Sequence, residues 1–284
     1  MTNKLSFNDL AGKVCVVTGG AGVICSSMAR GLASVGVKVV VSDRNQENAE
    51  KVAFNLQKEF GVPCIGVVSD VLDKNSLIAA KEKINKEFGK IDLLINGAGG
   101  NSPKATTPLE EITDKDMDNL SKSFFGVELE GFDFVFDLNF KGTLLPTMVF
   151  AEDMVKSQSG SILNISSMNS YRPLTKIPAY SAAKAAINNF TQWLAVHFAK
   201  VNVRVNAIAP GFFVTGQNRF LLYDEKSGDL TARGNKIIKG TPMGKFGEPQ
   251  DLDGATLFLL SEISSFVTGI IIPVDGGFSA YSGV

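Results

Sequence analysis

Tyr180 and Lys184 stand four residues apart in the run Tyr180-Ser181-Ala182-Ala183-Lys184. On a helix, that spacing puts both side chains on one face and within reach of each other. A free phenol has a pKa of about 10 and is a poor proton donor or acceptor near neutrality. Making it titrate near pH 7 requires roughly 4 kcal/mol, which one ammonium at about 4 Å in a partly screened site supplies. The pair can therefore move a proton. It can equally be an exposed helix pair, because the spacing recurs by chance, and the rest of the sequence must decide between the two.

Rival chemistries have few residues to work with. A serine nucleophile needs a histidine base, and the one histidine, His197, lies on the same helical stretch, about 25 Å from Tyr180 at 1.5 Å per residue. It reads as structural. Cys15, Cys25 and Cys64 form no disulfide framework, and no His/Cys/carboxylate cluster has metal-ligand spacing. With 28 basic and 29 acidic residues, the chain offers no electrostatic ground for a nucleic acid or an anionic membrane as partner. The start, Met1 to Ser6, lacks the apolar core of a secretion signal, and no segment reaches membrane-span length. A reduced, cytoplasmic protein is expected.

The elements that must position Tyr180 and Lys184 follow from hydrophobic patterning. Lys13 to Thr18 is a short continuous apolar run, as in a strand buried on both faces of a parallel sheet. It passes through Gly19-Gly20-Ala21-Gly22 into an amphipathic stretch, Val23 to Val35. Strand, glycine turn and helix start together form a phosphate cradle, with close backbone approach and a positive helix end. A second strand, Val37 to Ser42, ends at Asp43, where a carboxylate can hydrogen-bond an adenosine ribose or, instead, cap the next helix. A carboxylate there repels a 2′-phosphate and favours NAD over NADP, whereas the guanidinium of Arg44 could accept that phosphate.

The alternation continues through strands at 63–68, 91–96, 161–165, 203–208 and 270–274 and helices at 46–60, 74–88, 133–156, from Pro178 past His197, and 248–261. Such alternation over 284 residues predicts a single α/β domain: a doubly wound, Rossmann-type parallel sheet of about seven strands, helices on both faces. Asp70 and the turn Asn96-Gly97-Ala98-Gly99-Gly100 fall just after strand ends, where such sheets bind ligands. The segment 101–138 is too long for a plain connector, and its aromatics, Phe124 to Phe136, suit packing or a subunit contact equally. The polar, glycine-punctuated stretch 212–246 is expected to be a mobile substrate lid within the domain.

Together these residues resemble the short-chain dehydrogenase/reductase family over nearly the whole sequence. The likeness rests on Thr18-Gly19, the strand end at Asp43, Asp70-Val71, Asn96-x-Ala98-Gly99, Asn139, Ser167, Tyr180-x-x-x-Lys184 and Asn206-x-x-x-Pro210-Gly211, in this order. Ser167 rather than Ser166 matches the family's catalytic serine, thirteen residues before Tyr180. The resemblance implies that Tyr180 is the general acid or base and that Lys184 lowers its pKa and holds the nicotinamide ribose. Ser167 would bind the substrate oxygen, and Asn139 would hold a water linking Lys184 to solvent. It also implies a cofactor site made of Thr18, Gly19, Gly20, Gly22, Val23, Ile24, Asp43, Arg44, Asp70, Val71, Asn96, Gly97, Ala98, Gly99, Tyr180, Lys184, Pro210, Gly211, Phe213 and Thr215, with Thr215 at the carboxamide. Two departures stand out. Val23 and Cys25 replace glycines usual in the family's turn, and Gly97 replaces the second asparagine of Asn-Asn-Ala-Gly.

A narrower likeness lies in stretches 96–107, 168–184, 210–222 and 272–284. It is to bacterial D-mannonate oxidoreductases, or fructuronate reductases, within that same family. This implies a sugar-acid substrate, with another polyol, ketose or keto-gluconate as the alternative and a non-catalytic dinucleotide sensor as a further one. A substrate carboxylate needs a cation. Arg219 on the lid is the first candidate, followed by Lys104 and Arg172, with Asn101 beside them. Each is otherwise a solvated surface group. The family also implies a homo-oligomer, a tetramer assembled through the helices after Asn139 and Tyr180 and the last strand.

Overall fold

The computed structural model describes residues 5–216 and 218–283. Residues 1–4, named above for the missing secretion signal, and Val284 of the C-terminal likeness lie outside the described residues. Seven parallel strands form one sheet: β1 (Val14–Thr18), β2 (Lys38–Asp43), β3 (Cys64–Val68), β4 (Leu93–Asn96), β5 (Gly160–Ile165), β6 (Val203–Pro210) and β7 (Ile271–Val274). Their order is β3-β2-β1-β4-β5-β6-β7, so the winding reverses between β1 and β4. That reversal opens a crevice at the carboxyl ends of the strands. Thr18 pairs with Asn96, and Asn96 with Asn164, so the ends that matter lie side by side.

Helices cover both faces. On one, α1 (Val23–Ser34), α2 (Gln46–Phe60) and α9 (Asp253–Leu260) pack through Met28, Leu32, Leu56 and Leu259. On the other, α3 (Lys74–Phe88), α5 (Gly142–Ser157) and α6 (Pro178–Phe198) pack through Leu77, Ile84, Phe150, Met154 and Leu194. Local signals start and stop these helices. The Asn45 side chain caps α2, Asp73 caps α3, and Pro178 opens α6 at a position where its missing N–H costs nothing. Gly61 ends α2 with φ of 68°, a left-handed conformation that favours glycine. Among the described residues, no helix is long and apolar enough to cross a membrane.

Two expectations need revision. The single helix expected over 133–156 is α4 (Leu129–Phe136), a π turn (Asp137–Lys141) and α5. The π turn carries Asn139, and such turns inside helices commonly mark functional positions. The helix expected over 248–261 begins as a 3₁₀ turn, Pro249–Leu252. Within the stretch 212–246, α7 (Arg219–Leu222) and α8 (Ala232–Gly240) pack around Leu222, Ile237 and Phe246.

Candidate active site

Each of the four residues expected to do the chemistry reaches the crevice on a defined support. Ser167 follows β5, Tyr180 and Lys184 lie on the first turns of α6, and Asn139 sits in the π turn. Lys184 is buried; its Nζ donates to the Ile165 carbonyl at 2.7 Å and lies 5.5 Å from the centre of the Tyr180 ring. Burial lowers its pKa to about 8. Tyr180 packs against Ala105, Val135, Ala179 and Phe132. That apolar surround raises the phenol pKa, and a hydrogen bond with the Ser167 hydroxyl pulls the other way. The ammonium lies over the ring and bonds to the β5 backbone, so burial dominates.

Asn139 is fully buried and acts as a strut. Its Nδ2 donates to the carbonyls of Gly100 and Val135, both at 2.7 Å, and its Oδ1 accepts from the Gly100 N–H at 3.2 Å. Gly99 makes room for it: a β-carbon there would lie 2.6 Å from Asn139 Oδ1 and 3.4 Å from Lys184 Nζ. Ser167 Oγ accepts from the Asn169 N–H at 3.2 Å, which occupies a lone pair and leaves the O–H to donate.

The nucleotide side is assembled by close backbone contact. Gly19 has φ of 62°, and a side chain there would strike Ala98; one at Gly20 would strike the Val17 carbonyl at 2.7 Å. Gly22 caps α1, whose first N–H groups have no partner within the helix and present a positive end. Val23 is exposed and Ile24 half-buried at that end. Asp43 is not a helix cap, since Asn45 takes that role. Its Oδ2 accepts from the Ala21 N–H at 3.2 Å and its Oδ1 from the Asn45 N–H at 3.1 Å. Arg44 and Asp70 are exposed, while Val71 packs against Gly142. Gly211 accommodates Asp275, and its N–H donates to the Val274 carbonyl at 2.9 Å. Pro210 ends β6, and the Asn218 side chain ties Thr215 N–H to the Phe213 carbonyl.

Three expected cofactor residues have their side chains packed inside the scaffold. The Thr18 hydroxyl is wholly buried and accepts from the N–H groups of Gly97 and Ala98 at 3.1 and 3.4 Å, so it shapes the turn after β4. Asn96 donates to Thr147 Oγ1 at 2.9 Å and Asn164 Oδ1 at 2.8 Å, inside the sheet. The Phe213 ring is buried against Gly247. The two departures from the family pattern explain each other. A β-carbon at Gly97 would lie 2.2 Å from Cys25 Sγ, so the Cys25 thiol fills the space left by the missing side chain.

The cation candidates separate. Lys104 Nζ lies 3.6 and 3.7 Å from the carboxylates of Glu128 and Glu130. Arg172 donates to the Tyr281 carbonyl in the C-terminal stretch. Arg219 lies over the Tyr223 ring at 5.0 Å and, among the described residues, pairs with no carboxylate. Asn101 donates to Thr106 Oγ1 at 2.8 Å and is exposed. Phe132 packs on Tyr180, whereas Phe124 and Phe125 are exposed, so the aromatics of the insertion divide between packing and surface. His197 stacks on Trp193 with centroids 4.7 Å apart, away from the crevice. Among the described residues, no group of three or more His, Cys, Asp or Glu side chains could hold a metal ion. Sequence reasoning overlooked Ser170 and Asn188, which bond to each other and to Ser166 behind Ser167. The available signal was Asn188, one turn beyond Lys184 on the same helix face.

A seven-stranded parallel sheet with this tyrosine, lysine and serine at its crevice defines a short-chain oxidoreductase. The short chain dehydrogenase family model matches residues 13–226, and the protein belongs to that family. An uncharacterized oxidoreductase of Bacillus subtilis is 53% identical over 277 residues, 97% of this chain and 98% of the relative. A crystal structure from Haemophilus influenzae, solved with bound NAD and provisionally named a D-mannonate oxidoreductase, superposes with a TM-score of 0.91. It is 51% identical and covers 97% of this chain and 98% of its own. The 5-keto-D-gluconate 5-reductase of Escherichia coli is 33% identical, over 95% and 96% of the two chains.

Proposed function

We propose that this enzyme interconverts a secondary alcohol and a ketone on a sugar acid with NAD(H), and that D-mannonate and D-fructuronate are the pair. The observation that carries the reading is the meeting of Ser167, Tyr180 and buried Lys184 at the end of β5, beside a glycine cradle that excludes side chains. That cradle, the α1 N-terminus and the Asp43 carboxylate fit a dinucleotide whose ribose carries free hydroxyls. NAD(H), when bound, supplies the hydride chemistry. The protein supplies the rest. In reduction, the Ser167 O–H holds the ketone oxygen, the carbonyl carbon takes the hydride, and the oxygen takes the Tyr180 proton. Lys184 offers its positive charge to the phenolate that forms, and Asn139 anchors the backbone of Gly100 through two hydrogen bonds. Pro210, Gly211, Phe213 and Thr215 would border the nicotinamide, with Thr215 at its carboxamide.

The substrate assignment is supported by the likeness to the Haemophilus influenzae protein and by Arg219, a cation on the cover suited to a carboxylate. The Escherichia coli reductase supports a second reading, a keto-gluconate. NADH oxidation against D-fructuronate, 5-keto-D-gluconate and neutral ketoses, with NADPH in parallel, separates them. The expected result is the highest kcat/KM for D-fructuronate with NADH. Preference for neutral ketoses would overturn the sugar acid, and preference for NADPH would overturn the role of Asp43. The exposed Met148, Trp193 and Val196 on α5 and α6, with Phe266 before β7, support a homotetramer. Sedimentation at micromolar concentration should show four copies; a monomer would refute the assembly.

A further inference from the structure

Ser166 precedes the catalytic serine and is buried, yet the chemistry above does not use it. Its hydroxyl lies 2.5 Å from Asn188 Oδ1, an acceptor, so the Ser166 proton points there. Asn188 Nδ2 then donates to Ser170 Oγ at 2.8 Å, and the Ser170 hydroxyl donates to the Ser167 carbonyl at 2.6 Å. The Ser166 hydroxyl also lies 3.2 Å from Ser170 Oγ and 3.4 Å from the Lys184 carbonyl, but Asn188 Oδ1 is by far its nearest acceptor, which sets the direction of the relay. The relay starts and ends on the end of β5 and passes through α6. Lys184, one turn before Asn188, adds a parallel tie through its 2.7 Å bond to the Ile165 carbonyl. Three consecutive residues, Ile165, Ser166 and Ser167, are therefore fastened to the helix that carries Tyr180. An asparagine inside a helix is a poor helix former. Its side chain here makes up for that by bridging the two elements whose separation sets the Ser167-to-phenol distance.

We propose that Asn188 and Ser170 are positioning residues, which hold Ser167 at hydrogen-bonding distance from Tyr180. The inference rests on the reading of Ser167 and Tyr180 as the reacting pair. Loss of either residue should loosen orientation without touching cofactor or substrate. Asn188→Ala should lower kcat on the order of tenfold and Ser170→Ala by less, with NAD affinity unchanged. Ser170→Thr, which keeps the hydroxyl, should restore turnover.

The test combines kinetics with a readout that needs no substrate. Reduction of D-fructuronate by NADH is measured, or of 5-keto-D-gluconate if the first is not turned over. Beside it, the Tyr180 titration is followed by NMR of carbon-labelled tyrosine and identified by its absence in Tyr180→Phe. A loosened Ser167 withdraws its hydrogen bond, so the Tyr180 titration should move to higher pH in Asn188→Ala. A merely structural asparagine would lower the melting temperature and leave that titration unmoved. Folded Asn188→Ala and Ser170→Ala proteins with wild-type kcat and wild-type Tyr180 titration would overturn the proposal. If Asn188→Ala does not fold, Ser170→Ala alone decides. Turnover that survives Tyr180→Phe would sink the underlying site instead, which keeps the two failures distinct.

Discussion

The floor of the crevice and its cover are built on different principles. On the floor, Asn139, Lys184 and Ser167 are buried, and each is held by backbone or by a neighbour of fixed geometry. On the proposed cover, the insertion and the stretch 212–246 meet through Lys236 and Glu110, 2.6 Å apart with both side chains largely exposed. Buried hydrogen bonds have steep costs when a partner is lost, while exposed ion pairs are screened and weak. The buried groups proposed to move the proton are therefore held more tightly than the segments proposed to cover them.

Four experiments can break or sharpen that contrast. Of these four the largest effect belongs to Gly99→Val, which would drive a side chain into Asn139. Turnover should fall at least about a hundredfold, with a lower melting temperature. Near wild-type turnover would show that the strut is not needed.

Next is pH. Burial places the Lys184 pKa at about 8, below its ordinary value. As pH rises through that value the ammonium is lost, so reductive kcat should fall about tenfold per pH unit above it. Stability should move the other way. The buried charge penalises the fold fully below the folded pKa, and the penalty fades as pH rises toward the unfolded value. Lys184→Met should abolish both trends in otherwise folded protein.

The Cys25 and Gly97 pair offers a smaller, coupled effect. Gly97→Asn alone should destabilise by about 1–3 kcal/mol through overpacking. Adding Cys25→Gly should recover part of it, with a coupling on the order of 1 kcal/mol in denaturant titrations. Strict additivity would mean that the two departures are unrelated. The smallest effect is expected on the cover. Glu110→Gln should change kcat/KM less than about threefold and lose even that in high salt. A hundredfold loss would make the cover as rigid as the floor and remove the contrast.

The same contrast decides what can be read from the sequence. Tyr180, Lys184 and Gly19 are legible because each is tied to a turn or a helix spacing, and such local order leaves a periodic signature, whereas Ser167 and Asn139 are picked out only by the family likeness. Helices α2 and α3 match their expected bounds because caps and C-terminal glycines mark them. The pairing of charges is not legible. Nothing local to Lys104 or Arg172 foretells Glu128 or the Tyr281 carbonyl, since those partners arrive through the fold. The π turn at Asn139 escapes notice because no glycine or proline within Asp137–Lys141 interrupts the helical reading of its flanks. The relay from Ser166 through Asn188 escapes it because a polar residue in a helix reads as surface until its neighbours are known. Thr18 and Asn96 lie at the expected strand ends, yet their side chains turn inward to the sheet.

The central claim is that the floor's chemistry runs through one phenol. Tyr180→Phe removes the hydroxyl and leaves the ring packed against Phe132 and Val135. NAD affinity by calorimetry should stay within about twofold, while kcat for NADH-dependent reduction falls on the order of a thousandfold. A folded Tyr180→Phe protein that binds NAD and turns over within about tenfold of wild type would contradict the account.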